Sequence, residues 1–475
     1  MQRQLLRADL VLPAPALRRV LVDGAVLVEA DGTIGAVDDA ALLIAAHPTV
    51  PVRHLRDRLL MPGLINAHCH SGMLRGTAEG LAVWEWLQRY IDPMHRVLSA
   101  EDAEAASRLC YAEALLSGTT TIVDMWRHMA GSARAARDLG IRAVLVPYVA
   151  EHPDHDYFET YDANEALIAA WHGAEGGRIN VWVGLEHLFY AVPAALQRAA
   201  AMSRHYGVPL HTHSNESRFD VEETLRRYGV RPVQALERFG VLDAQHVLLA
   251  HCCWLSSDEI ALIAQRGVGV AHNPISNMKL ASGAAPVQAL LDAGIAVGLG
   301  TDGEKENNNL DVFEEMKTAS LLAKFSQLDA SALDAWSICE MATSTGARAL
   351  GLDAVTGSLE PGKRADLIAV RTKTPRMTPL LTGADLNVHH NLVHAVQGGD
   401  VDLTMVAGRI VVDGRVLQTA CLDDLIDRVN TLVPPLFARR ATWIANHEAP
   451  VNEVVASASP TSATEESNRL QRYVK

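Results

Sequence analysis

The sequence predicts an α/β protein in which residues 61–359 form a (β/α)8 TIM-like barrel and the two chain ends, 1–60 and 360–420, combine into a small β-sandwich. The remaining stretch, 421–475, reads as a C-terminal helical segment with a flexible tail, rich in Ser, Thr, Ala and Glu beyond His447. Three observations lead to this division. Short apolar runs alternate with longer helical patterns through the middle of the chain, the rhythm of repeated β/α units on a parallel sheet. The polar residues of those runs gather at their C-terminal ends. Both chain ends share another style, short alternating strands broken by turn residues.

The N-terminal style is clear in residues 19–29, where Val22-Asp23-Gly24-Ala25 carries the Asp-Gly chemistry of a hairpin turn. It returns in residues 365–370 and 406–414. Between the two ends, eight runs read as strands: 64–68, 121–123, 143–146, 181–185, 208–213, 247–251, 268–272 and 296–302. Eight is the strand count of a (β/α)8 barrel, whose chemistry sits at the C-terminal ends of its strands. His68, His213, His251, His272 and Asp302 all fall at those ends.

Composition limits what such a protein does. A chain of 475 residues with 49% apolar residues can bury a large core. The net charge of −14 is spread along the chain without a Lys/Arg block, which disfavours nucleic acid or an anionic membrane as partner. Small uncharged or cationic ligands fit better. The six cysteines form no C-x-x-C pair, as expected of reduced thiols in a cytoplasm. No signal-peptide pattern opens the chain and no run of about 18 apolar residues occurs, so a cytoplasmic location is expected.

In Asn66-Ala67-His68-Cys69-His70 the two histidines are two apart on a strand, face the same way, and can converge on one metal. His213-Ser214-Asn215-Glu216 adds a third imidazole and, in the following loop, a carboxylate. His211 is in phase with His213 and competes for the ligand role; Glu216, three residues beyond His213, favours His213. His251 and Asp302 follow apolar strands directly, Asp302 within Gly300-Thr301-Asp302-Gly303. A charged residue there needs a partner or water, because burying it unpaired is costly.

Taken in order, H-x-H, H-x-x-E, a single His and Gly-Thr-Asp-Gly resemble the amidohydrolase superfamily. Within it the chain looks like the branch of methylthioadenosine/S-adenosylhomocysteine deaminases and s-triazine hydrolases. Further matches are Met61-Pro62-Gly63-Leu64-Ile65-Asn66, Leu74-Arg75-Gly76, Ser117-Gly118-Thr119-Thr120, His272-Asn273-Pro274-Ile275-Ser276-Asn277 and Gly357-Ser358-Leu359-Glu360-Pro361-Gly362. The resemblance implies one divalent metal ion, Zn²⁺ or Fe²⁺, held by His68, His70, His213 and Asp302. It makes Glu216 the proton shuttle and has His251 polarise the attacking water or the developing intermediate, with Asp302 accepting the water's proton. No strand-end lysine suited to bridging two metals stands out, which favours a mononuclear site.

The implied activity is hydrolytic deamination of an amino-substituted N-heterocycle, a purine nucleoside of methylthioadenosine or adenosine type or a related ring. Displacement of chloride or an alkylamine from an s-triazine is the alternative, and a barrel that only binds is a remote one. A homodimer or higher homo-oligomer is also implied.

Four residues are candidates for substrate contact. Trp84 and Trp86 lie in the helix after the first metal motif; Trp86 matches a family aromatic, and Trp84 stands where nucleoside-using members carry an acid suited to ribose hydroxyls. Both could equally be core packing. His187 matches a substrate-contacting histidine, and Glu186 stands where the family commonly has proline, placed either to recognise an N–H group or to pair elsewhere. Neither Lys nor Arg occurs between Arg142 and Arg178, where members that hold a substrate carboxylate use arginines, so a carboxylate-bearing substrate is disfavoured. After Asp302, Glu304 and Glu306 read as solvated loop acids.

Overall fold

A computed structural model describes residues 2–152 and 155–447. The tail beyond 447, expected to be flexible, lies outside the described residues. The chain ends meet in one eight-stranded sheet ordered β17-β16-β15-β14-β4-β1-β2-β3. It takes β1 (Gln4–Val11), β2 (Leu21–Val28), β3 (Ile34–Asp39) and β4 (Val52–Pro62) from the N-terminal end. After the middle of the chain, in which strands β5 to β13 lie, β14 (Leu367–Arg371), β15 (Val401–Val406), β16 (Arg409–Asp413) and β17 (Val416–Leu417) complete it. The ends join where β14 pairs antiparallel with β4, Ala369 opposite Leu60. Period-two alternation divides the buried residues: Leu60, Leu367 and Ala369 face a small core, whereas Leu59, Met61, Ile368 and Val370 join the main one.

Asp23-Gly24 is not a hairpin turn. β2 runs straight through it, with Ala8 opposite Gly24 and Leu10 opposite Val22. A Cβ at position 24 would come within 2.8 Å of Val11, so the glycine serves close approach between strands. Asp23, at φ +52°, is swung out to a bidentate pair with Arg7 at 2.6 and 2.8 Å. The reversal between β2 and β3 is at 29–33, where Gly32 N–H donates to Glu29 O.

The middle of the chain forms two parallel sheets in sequential order. The first contains β5 (Leu64–Cys69), β6 (Thr119–Trp126), β7 (Arg142–Pro147) and β8 (Ile179–Val181); the second contains β9 (Val183–Gly184), β10 (Leu210–Ser214), β11 (Val247–His251), β12 (Gly269–His272) and β13 (Val297–Leu299). The single strand expected over 181–185 is two pieces, because Trp182 N–H donates to Leu145 O on one side and Val183 N–H to Pro209 O on the other. At the opposite edges β13 lies against β5: a Cβ at Gly298 would stand 2.9 Å from that of Ala67, and Asp302 N–H donates to His68 O at 3.0 Å. Glycines at 298 and 300 permit this approach. Strands β5 to β7 and β10 to β13 are buried throughout, as parallel strands covered on both faces are.

The helix Leu422–His447 packs Leu436 and Val429 inward, and its Arg439 pairs with the buried Asp102 of helix Ala100–Leu116. Among the described residues no helix is long and apolar enough to cross a membrane. One buried ion pair ties the terminal sheet to the parallel sheets: Arg142 Nε donates to Asp366 Oδ2 at 2.8 Å, while Asp366 Oδ1 accepts Ala407 N–H at 2.6 Å. Both side chains are almost wholly buried, so Asp366→Ala leaves a guanidinium without a counter-charge. It is expected to cost about 3–5 kcal/mol of stability, read as a lowered urea midpoint at unchanged m.

Candidate active site

The C-terminal ends of β5, β10, β11 and β13 bring His68, His70, His213, His251 and Asp302 together. Each imidazole is held by its far nitrogen. His70 Nδ1 donates to Met125 O and His213 Nδ1 to Glu186 O, both at 2.6 Å. His211 Nδ1 donates to Leu248 O at 2.9 Å, which leaves its Nε2 to accept from His68 Nδ1 at 2.8 Å. His211 is therefore a support for His68, an arrangement that fixes tautomer and ring orientation at metal sites.

These tautomers leave three bare Nε2 lone pairs pointing inward. His70 Nε2 and His213 Nε2 are 3.2 Å apart, and His68 Nε2 is buried without a hydrogen-bond partner. Asp302 Oδ1 lies 3.3 Å from His70 Nε2 and 3.5 Å from His68 Nε2. Burial, reinforced for His70 and His213 by neighbouring imidazoles, pushes all three histidines below their ordinary pKa, so they are neutral. Burial works to raise the Asp302 carboxyl, yet it lies well below the usual carboxylate range, with His251 Nε2 3.8 Å from Oδ2. Lone pairs in this proximity repel one another unless a cation lies among them. The donor set, imidazole nitrogen plus carboxylate oxygen, fits a divalent metal ion.

Asp302 and His251 adopt φ of +61° and +70°, a region costly for residues other than glycine and found where surrounding structure enforces it. Ser276 Oγ donates to Asp302 Oδ2 at 2.7 Å, and Gly303 N–H to Oδ1 at 2.8 Å. His251 Nδ1 is bonded to Asn277 Oδ1 at 2.9 Å. Its Nε2 faces Glu216 Oε2 at 3.7 Å and Asp302 Oδ2 at 3.8 Å. Burial works to lower the His251 pKa, and these two carboxylates outweigh it and raise it. Glu216 is buried, accepts from Ser282 Oγ at 3.0 Å, and is pushed by burial up to about 7. Asn66 and Thr301 clamp the two strand ends that carry His68 and Asp302, through bonds of 2.7 and 3.0 Å.

A narrow cleft lies over this cluster. Trp84, Trp86, Glu186 and His187 all line it beside His70, His213, Glu216, His251 and Asp302; His68 does not. Trp84 is neither free nor merely packed: its Nε1 donates to Asp220 Oδ1 at 2.8 Å, and its ring lies edge-on to His187. Trp86 Nε1 donates to Ala78 O.

Glu304 and Glu306, read as solvated, are buried. Glu304 Oε1 accepts Leu74 N–H at 2.8 Å and occupies the space that Gly72 leaves, whereas Glu306 pairs with the buried Lys305 at 2.9 Å and lines the cleft. Their partners come from distant chain or from inside the loop itself, so hydrophilicity alone misplaces them. Ser276, Asn277 and Ser282 had no role assigned from sequence. The His272–Asn277 motif carried the signal for the first two, since polar residues in a patterned loop after a strand are candidates for orienting a site.

Clusters of this kind are the working parts of hydrolases that use a divalent metal to activate water. The chain belongs to the amidohydrolase family, whose sequence model matches residues 59–411. It is 38% identical over 417 residues to a 5-methylthioadenosine/S-adenosylhomocysteine deaminase from Syntrophomonas wolfei, covering 84% of this chain and 95% of the relative. A zinc-bound adenosine deaminase from Xanthomonas campestris has the same fold, with a TM-score of 0.85, 32% identity, and coverage of 92% of this chain and 98% of that one. A zinc complex of an atrazine chlorohydrolase from Arthrobacter aurescens matches with a TM-score of 0.81 and 25% identity, covering 90% of this chain and 100% of the other.

Proposed function

We propose that this chain is a metal-dependent aminohydrolase that replaces an amino group on a nitrogen heterocycle, of purine nucleoside type or a related ring, and releases ammonia. The observation that carries the reading is the meeting of three bare imidazole nitrogens, Asp302 and the buried Glu216 around one cleft. The deaminase relatives support it. In this reading the two parallel sheets close into a (β/α)8 barrel over 61–359. The terminal sheet is the composite sandwich of 1–60 and 360–420, with a helical segment from 421 onward.

His68, His70, His213 and Asp302 would hold one ion, Zn²⁺ or Fe²⁺, since both suit these donors. When bound, a divalent cation supplies Lewis acidity that brings the pKa of water toward neutrality. Asp302 accepts the attacking water's proton. Glu216 gives its proton to the ring nitrogen, takes one back from the oxygen added to the ring carbon and passes it to the departing amine, and the proton left on Asp302 restores the starting state; a carboxyl near 7 is matched to both duties. His251, made cationic by Glu216 and Asp302, donates from Nε2 to the oxygen that develops negative charge on the ring carbon. Trp84, Trp86, Glu186 and His187 hold the ring. The cleft lining contains neither Lys nor Arg among the described residues, which fits a neutral or weakly basic substrate.

A panel of aminated purines, nucleosides, pterins and s-triazines, assayed with metal analysis of the same sample, tests this. Ammonia release in proportion to bound metal is expected. Chloride release from chlorinated triazines without ammonia from any member would favour the second reading, raised by the 25% identity to the atrazine enzyme. A metal-free protein with no turnover would mark a barrel that only binds.

A further inference from the structure

The cleft is too small for the molecules it would act on. Its free volume is about 30 Å³, room for little more than a water molecule, against roughly 300–1,000 Å³ for small-molecule pockets. A heterocycle therefore enters only if one wall moves. The strand ends are not that wall, because they carry the hydrogen-bonded His68, His70, His213, His251 and Asp302.

The opposite wall is built differently. Val83, Trp84, Trp86 and Leu87 come from the short helix Val83–Trp86 and the start of the π-helical turn Leu87–Ile91. Residues 76–87 are knitted together from inside, since Trp86 Nε1 donates to Ala78 O at 3.0 Å. Before this unit, Glu304 Oε1 accepts Leu74 N–H at 2.8 Å; after it, Arg440 donates to Arg89 O at 2.6 Å. Between these fixed points Gly76 and Gly80 adopt φ of +70° and +81°, with open space where a Cβ would stand. The π-helical turn completes the pair of bends, a geometry common where helices kink at functional sites.

Two side chains reach from this unit to the rest of the protein. Glu79 pairs with Lys279 Nζ at 3.0 Å and accepts from Asn308 Nδ2 at 3.2 Å. Lys279 Nζ also donates to Lys305 O at 2.7 Å, in the loop that follows Asp302. At the other side Trp84 Nε1 donates to Asp220 Oδ1, and the Trp84 ring lies 5.2 Å from that of Phe219. The Glu79 carboxylate is half exposed, so its pair parts without stranding a buried charge.

We propose that residues 76–87 are a lid that opens to admit substrate and release product, hinged at Gly76 and the π-helical turn and latched by Glu79–Lys279 and Trp84–Asp220. The lid rests on the reading of the cleft as a heterocycle site over a metal ion. Glu79 and Lys279 lie outside the cleft lining, so changing them loosens the latch without touching the chemistry.

The test compares the zinc-loaded protein with its Lys279→Met and Glu79→Gln variants, by amide hydrogen exchange and by the rate at which dipicolinate removes the metal. Each variant is expected to speed exchange of residues 76–87 by about 2- to 10-fold while leaving β5 and β13 unchanged. Metal removal is expected to speed by the same factor, because the chelator reaches the ion only past an open lid. Exchange of 76–87 untouched by both variants would overturn the latch. A rise shared equally by the strands would overturn it too, since that reports a loss of global stability. Faster exchange with unchanged metal removal would overturn the lid's control of entry. If no ring compound released ammonia, the deaminase reading would fail on its own, and exchange would still decide the latch.

Discussion

Glu216→Gln is expected to lower kcat by about 10²- to 10⁴-fold while leaving the bound metal in place. The substitution keeps the size of the side chain and an oxygen for the Ser282 hydroxyl, so the loop has no reason to move. What it removes is the ability to gain and lose a proton beside His251, whose Nε2 faces Glu216 Oε2 at 3.7 Å. The loss should appear in kcat more than in KM, because a proton transfer is an interaction of the transition state. Metal analysis and single-turnover ammonia release on the same preparation check it, and near-normal rates would remove Glu216 from the shuttle role.

Asp302→Ala is expected to abolish turnover for another reason, loss of the metal. Among the described residues Asp302 is the one carboxylate within 4 Å of both His68 and His70, and it also anchors Ser276 and Gly303. Replacing a group that merely orients a ligand costs about 10–100-fold in metal affinity, and removing a ligand should cost at least that. A bound ion also stabilises the fold by mass action. Chelation should therefore lower the Tm of the unsubstituted protein and leave that of the Asp302→Ala protein unchanged. Retention of stoichiometric metal by the variant would exclude Asp302 as a ligand.

Much of the reacting centre was legible along the chain. His68 and His70 follow from a spacing of two on a strand, and His251 and Asp302 from their position after apolar runs that must end at a surface. His213 was separated from His211 by Glu216, and in the structure His211 has one nitrogen on Leu248 O and the other on His68. The clamp between Asn66 and Thr301 was not legible, because its halves are 235 residues apart and each motif that contains one of them says nothing of the other. Asp23-Gly24 misled for a related reason. Its turn chemistry is real locally, but pairing with β1 and the approach of Val11 used the glycine to continue a strand.

The sequence by itself determined which residues share a strand face and in what order the strands follow, since a period of two and the alternation with helices are local properties. It thereby determined that imidazoles and an aspartate collect at strand ends. Only the tertiary structure decided which polar side chains become buried beside them. Glu304 is enclosed because Gly72 leaves it room and Leu74 N–H meets it, and Glu306 because Lys305 turns inward with it over the Trp126 ring. A carboxylate's environment is set by atoms that arrive from other loops, so the burial of Glu304 and Glu306 was hidden in the chain while the gathering of the imidazoles and Asp302 was not.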